Sequence, residues 1–159
     1  MTKKILIPKN RIISAFLAVA IGVLPYITPF TAYAAGGTVK IRNTHDYLEL
    51  AKKCKTDTWS RGKTVELDEN IDLDKINFTP IPTFGGTFKG NGYTISGVNI
   101  SGKGSYQGLF RYIQSGAKVE NLNVKGKIAP QGTKKVIGGI VGENSGTITN
   151  CSFSGDVSG

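Results

Sequence analysis

Two ten-residue stretches of this chain are copies of one another. Val119-Glu-Asn-Leu-Asn-Val-Lys-Gly-Lys-Ile128 matches Ile148-Thr-Asn-Cys-Ser-Phe-Ser-Gly-Asp-Val157, and every matched pair is 29 residues apart. An internal period of 20–50 residues is the signature of a stacked architecture, in which one unit cannot bury its own apolar face but neighbours can. Alternation within each copy is that of a strand: Leu122 and Val124 fall on one side, Asn123 and Lys125 on the other. Val119 lies at an odd offset from Leu122, so a corner is expected near Glu120-Asn121. Asn121 and Asn150 suit such a corner, since asparagine tolerates left-handed backbone angles.

Weaker relatives extend the pattern. Ile95-Ser-Gly-Val98-Asn-Ile100 is matched to Val119 onward at a spacing of 24, which puts Val98, Leu122 and Cys151 in one interior file and Gly97 at the corner. Gly86-Thr-Phe88, Gly108-Leu-Phe110 and Gly139-Ile-Val141 are taken as a second equivalent block, and Gly102, Gly126 and Gly155 as closing each unit. The expected fold is all-β: a right-handed parallel β-helix, or solenoid, with coils over residues 64–159. Right-handedness follows from crossover chirality. A β-sandwich is the rival, because regularly spaced short strands also suggest one.

The segment ahead of the coils differs. Val39 and Ile41 predict a short strand. Thr44 is expected to N-cap a helix to about Lys53, with Asp46 in the first turn and lysines at the end to suit the dipole. Tyr47, Leu48, Ala51 and Cys54 make its apolar stripe, and residues 35–63 are expected to cap the first coil and cover its unpaired edge. Residues 1–34 read as a signal peptide: Lys3, Lys4, Lys9 and Arg11, then an apolar run, then Ala32-Tyr33-Ala34. A membrane anchor is the competing reading. Four of the 20 basic residues lie in this segment, leaving 16 against 11 acidic, a net charge of +5. These are scattered, so solubility or weak attraction to an anionic cell wall is expected, and no nucleic-acid partner. The chain stops directly after a strand, which reads as truncation of a longer array or as edge-to-edge self-association.

Residues 138–159, Gly-Gly-Ile-Val-Gly through Gly-Thr-Ile-Thr-Asn-Cys to the closing Gly-Asp-Val, resemble the GLUG motif of bacterial surface proteins. Residues 108–128 resemble a divergent copy, with Arg111 where the motif has its second glycine and Leu122 where it often has cysteine. The stretch from Asp57 to Ile100 is similar to the leader of large exported proteins of Gram-positive bacteria. The resemblance covers about Thr38 to Gly159 and implies an extracellular, β-helical, repeat-built module. The motif accompanies metalloproteases and adhesins but lies outside the protease domain.

Catalysis is not expected. The chain has no His-Glu-x-x-His, and its one histidine, His45, reads as an exposed first-turn residue. Asp68-Glu-Asn-Ile-Asp-Leu-Asp74 lacks the glycine and glutamate of a calcium loop, and its acids read as the solvent side of a strand. Gly97 to Gly104 approaches a phosphate-binding loop, but Gly104 replaces the hydroxyl residue. No cofactor or metal site is expected. Trp59, Tyr106 and Tyr112 are the candidate ligand contacts, able to stack on sugar rings if exposed. The expected function is a non-catalytic structural or adhesive module at the cell surface. Surface glycans or other surface proteins would be its partners, and the membrane is met only through the signal peptide. The alternative is a carbohydrate-binding or polysaccharide-cleaving β-helix. Cys54 and Cys151 are expected several coils apart, beyond disulfide reach, as buried reduced thiols.

Overall fold

The computed structural model describes residues 36–132 and 136–159. The expected signal peptide, residues 1–34, lies outside the described residues. Among the described residues, no helix is long and apolar enough to cross a membrane.

The chain enters through strand β1 (Thr38–Ile41) and helix α1 (Thr44–Lys53). It then winds as a parallel β-solenoid of about four turns with three faces. The first face stacks β1, β2 (Thr64–Leu67), β4 (Thr87–Lys89), β8 (Lys118–Glu120) and β12 (Thr147–Thr149) in that order. The second stacks β3 (Ile71–Asp72), β5 (Thr94–Ile100), β9 (Asn123–Ile128) and β13 (Ser152–Val157). On the third, Ile81 and Phe84 bridge to β7 (Phe110–Ile113), which pairs with β11 (Val141–Asn144). Beside it β6 (Tyr106–Gln107) pairs with β10 (Val136–Ile137). Every pairing is parallel, as coil-on-coil stacking demands.

Files of equivalent residues fill the interior. Val65, Phe88, Val119 and Ile148 form one, and Ile71, Ile95, Val124 and Phe153 another. Ile81, Phe110 and Val141 form a third. Phe84, Phe88 and Phe110 meet across the coil with ring centroids 5.3–6.0 Å apart, in tilted and edge-on geometries that aromatic quadrupoles favour. Burial is complete in the middle coils and falls off in the last: Val124 is buried, Phe153 half-buried and Val157 exposed.

The 29-residue copy holds throughout, from Val119 over Ile148 to Ile128 beside Val157. The 24-residue match does not. Ile95 pairs with Val124 rather than Val119, and Val98 stands opposite Gly126, so Val98 is not in the file of Leu122 and Cys151. Ile95 and Val119 belong to different faces, which period-two alternation cannot distinguish. Between Ile95 and Val98 the strand carries an extra residue, a bulge with Gly97 at φ 69°, and Gly97 is therefore mid-strand and not a corner. Phe88 likewise sits on the first face, and the counterpart of Phe110 is Ile81. Gly126 pairs with Gly155 as expected, while Gly102 lies in the loop after β5.

The N-cap of α1 is Asn43, not Thr44. Its side chain accepts from the Asp46 N–H at 2.9 Å, with an extended backbone at Asn43 that places the acceptor one residue earlier than expected. Tyr47, Leu50, Ala51 and Cys54 join the interior cluster; Leu50 takes the place expected of Leu48, which packs against the cluster only partly buried. Tyr47 meets Phe78 edge-on, and its hydroxyl donates to the Thr79 carbonyl at 3.4 Å. Gln114 ties the turn after α1 to the third face: its amide donates to the Asp57 carbonyl at 2.7 Å and accepts from Arg61 at 2.8 Å.

Candidate functional site

The third face does not alternate simply. Phe110 and Ile113 are both buried, with Arg111 and Tyr112 between them left half-exposed. The same holds one coil earlier for Ile81 and Phe84, where Pro82 and Thr83 lean outward. This bend, together with the exposed loop at residues 101–105, opens a groove of about 410 Å³ lined by Pro82, Gly104, Ser105, Tyr106, Arg111 and Tyr112. The loop before it is held in register, since the Ile81 N–H donates to the Leu109 carbonyl and the Arg111 N–H to the Ile81 carbonyl, both at 2.8 Å.

Arg111 is shared with a second depression of about 260 Å³, whose walls include Phe78, Pro80, Lys103 and Gln107. Asn99, Ile100 and Ser101 join that one to a third, of about 100 Å³, beside Lys127. The three adjoin in series through these shared wall residues, as a track along the surface. Lys103, Arg111 and Lys127 supply its positive charge. Glu143 stands next to it, pairs in register with Tyr112 and accepts the Tyr106 hydroxyl, holding that phenol's pKa above its ordinary value.

Among the described residues, two donors on this track lack acceptors. Gln107 is 1% exposed, and its Nε2 has no hydrogen-bond partner; Arg111 Nε is also buried and unpartnered. Gly104 brings the loop hard against both, for a Cβ there would lie 2.5 Å from Gln107 Nε2 and 3.0 Å from Arg111 Nη2. The Tyr112 hydroxyl donates to Ser145 at 3.3 Å, leaving the ring as a wall of the groove.

Of the three aromatic residues expected to meet a ligand, Tyr106 and Tyr112 are brought together here. Trp59 does not line this groove. It packs against the core with Lys53 and Lys63 over its ring at 5.6 and 5.5 Å, two cation–π contacts. Arg111 and Gln107 were not anticipated. The available signal was Arg111's departure from the motif's glycine: in the next coil the corresponding position is Gly142, between Val141 and Glu143.

The other sequence candidates resolve structurally. His45 is exposed on the first turn of α1. In the acidic run, Ile71 and Leu73 are buried and Asp72 and Asp74 exposed, while Asp68 pairs with Lys40 at 3.0 Å. Gly97 to Ile100 lies within β5, and among the described residues no helix follows it. Among the described residues, no three His, Cys, Asp or Glu side chains are grouped to hold a metal. Cys54 and Cys151 are both free; Cys54 is buried as expected, but Cys151, in the last of the described coils, is half-buried.

Fold and sequence together define a parallel β-solenoid that carries a GLUG motif: residues 135–158 match that family's model. The chain is 32% identical over 148 residues to halomucin of Haloquadratum walsbyi, covering 83% of this chain and 2% of that protein. It is 39% identical over 71 residues to a Gly-rich membrane protein of Evansella cellulosilytica, covering 43% of this chain and 8% of that one. The chain thus spans a small fraction of the length of these relatives. No solved structure matches it.

Proposed function

We propose that this chain is a non-catalytic structural and adhesive module of an exported surface protein, of the Gram-positive type whose leader it resembles. The observation that carries the reading is the unbroken parallel register of the first face, five strands from β1 to β12. Such a stack is rigid along its axis, can be lengthened by adding coils, and presents long lateral surfaces. The names of the relatives, halomucin and a Gly-rich membrane protein, agree with a place at the cell boundary. Residues 1–34 act as the cleaved export signal. Helix α1 caps the first coil with Tyr47, Leu50 and Ala51, and the coils wind right-handed, as parallel crossovers nearly always do.

The test is expression of the full chain in a Gram-positive host. The expected product begins at Ala35, is exported, and releases no reducing sugar from polygalacturonate. A product that keeps Met1 and stays inside the cell, or one that depolymerises the polymer, overturns the proposal.

A further inference from the structure

We propose that the three joined depressions bind an acidic polysaccharide built of hexuronate units. Arg111 and the Gln107 amide hold one unit's carboxylate, and Tyr106 and Tyr112 pack against its neighbours' rings. Four observations carry this. The depressions share walls and so form a track, which suits a linear polymer better than a compact ligand. Tyrosine rings offer the apolar faces on which the C–H side of a sugar ring rests while its hydroxyls stay in water.

The third observation is chemical. The unsatisfied groups at the centre, Gln107 Nε2 and Arg111 Nε, are donors only. Leaving a buried donor unpaired costs about 1–3 kcal/mol, so an oxygen-rich ligand that reaches these groups beside Gly104 gains what the free protein lacks. A guanidinium is matched best by a planar carboxylate, which takes two N–H groups at once. The fourth is charge: Lys103 and Lys127 continue the track on either side of Asn99–Ser101, giving successive carboxylates successive partners. Glu143 is engaged by Tyr106, and it penalises a ligand that places its charge at the tyrosine end. This orients the uronate toward Arg111.

The inference supplies a ligand class for the proposed adhesive role, yet the two fail separately, because purified protein can bind whether or not it is exported. Calorimetric titration of the full chain with trigalacturonate is expected to show saturable binding, at least about tenfold tighter than with the neutral trisaccharide maltotriose. Arg111→Gln should weaken the acidic ligand at least tenfold and leave maltotriose unchanged. Lys63→Gln, remote from the track beside Trp59, should bind like the parent. Should Arg111→Gln fail to fold, Tyr106→Ala at an exposed position supplies the readout, with an expected severalfold loss. The proposal is overturned by absence of saturation at millimolar ligand, by equal affinity for maltotriose, by equal affinity for a single-stranded DNA of matching charge, or by a folded Arg111→Gln or Tyr106→Ala variant that binds as the parent does.

Discussion

Asn121 and Asn150 occupy the same corner of successive coils, with φ of 54° and 51°, and the Asn121 N–H donates to the Thr149 carbonyl at 3.0 Å. Both turn the chain from the first face to the second in a left-handed conformation that β-carbon sterics penalise by about 1–2 kcal/mol for most residues. Asn121→Gly should therefore keep the parent's stability within about 0.5 kcal/mol, and Asn121→Val should lose about 1–2 kcal/mol or more. Urea unfolding followed by circular dichroism checks this. Equal midpoints for the two variants would contradict the corner assignment.

The aromatic cluster is where the coils depend most on one another. Phe88 is fully buried and touches both Phe84 and Phe110, so truncation leaves a cavity in the centre of the stack. Phe88→Ala is expected to cost about 3–5 kcal/mol, a large share of a small domain's stability. The urea midpoint should fall with the slope unchanged.

Charge alternates along the first face. Lys40 lies 2.8 Å from Glu66, Glu66 lies 3.3 Å from Lys89, and Glu120 follows in register. Hydrogen bonds from Lys40 and then Lys89 hold the Glu66 carboxyl below its ordinary range. A depressed carboxyl contributes stability above its unfolded pKa, and that stability is lost as pH falls through the folded value. The parent should accordingly lose more stability than Glu66→Gln as pH drops from about 5 to about 3. The difference should shrink in high salt, because the two lysine side chains are exposed. Thermal melts across that range provide the measurement.

The two thiols should behave differently. Burial pushes the Cys54 thiol up to about 12, outweighing a hydrogen bond with Ser60 that lowers it. Since the thiolate is the reactive form, native Cys54 should resist a disulfide reagent at pH 8, and half-buried Cys151 should react first. One fast equivalent in the native protein and two after denaturation is the expected count. Two fast equivalents in the native state would show that the helix and first coil open readily.

The spacing of 29 between residues 119–128 and 148–157 favoured a parallel stack over the rival sandwich, because coil-on-coil pairing sets every position of one copy beside its counterpart, as the structure does. The asparagine corners, the stripe of α1 and the exposed acids at Asp72 and Asp74 were equally local, set by backbone angle and side-chain period. Which winding lay over which was not local. Ile95 could be matched to Val119 or to Val124 on its apolar pattern, and the choice fell to the bulge at Gly97 and the length of the loop that follows β5. The groove is more remote still from the sequence. Pro82, Tyr106 and Arg111 come from different strands and loops of adjacent coils, and they meet because the third face bends between its buried residues. A repeat period specifies stacking because hydrogen-bonded neighbours must coincide. It cannot specify a concavity, which depends on how residues outside the period leave the coil.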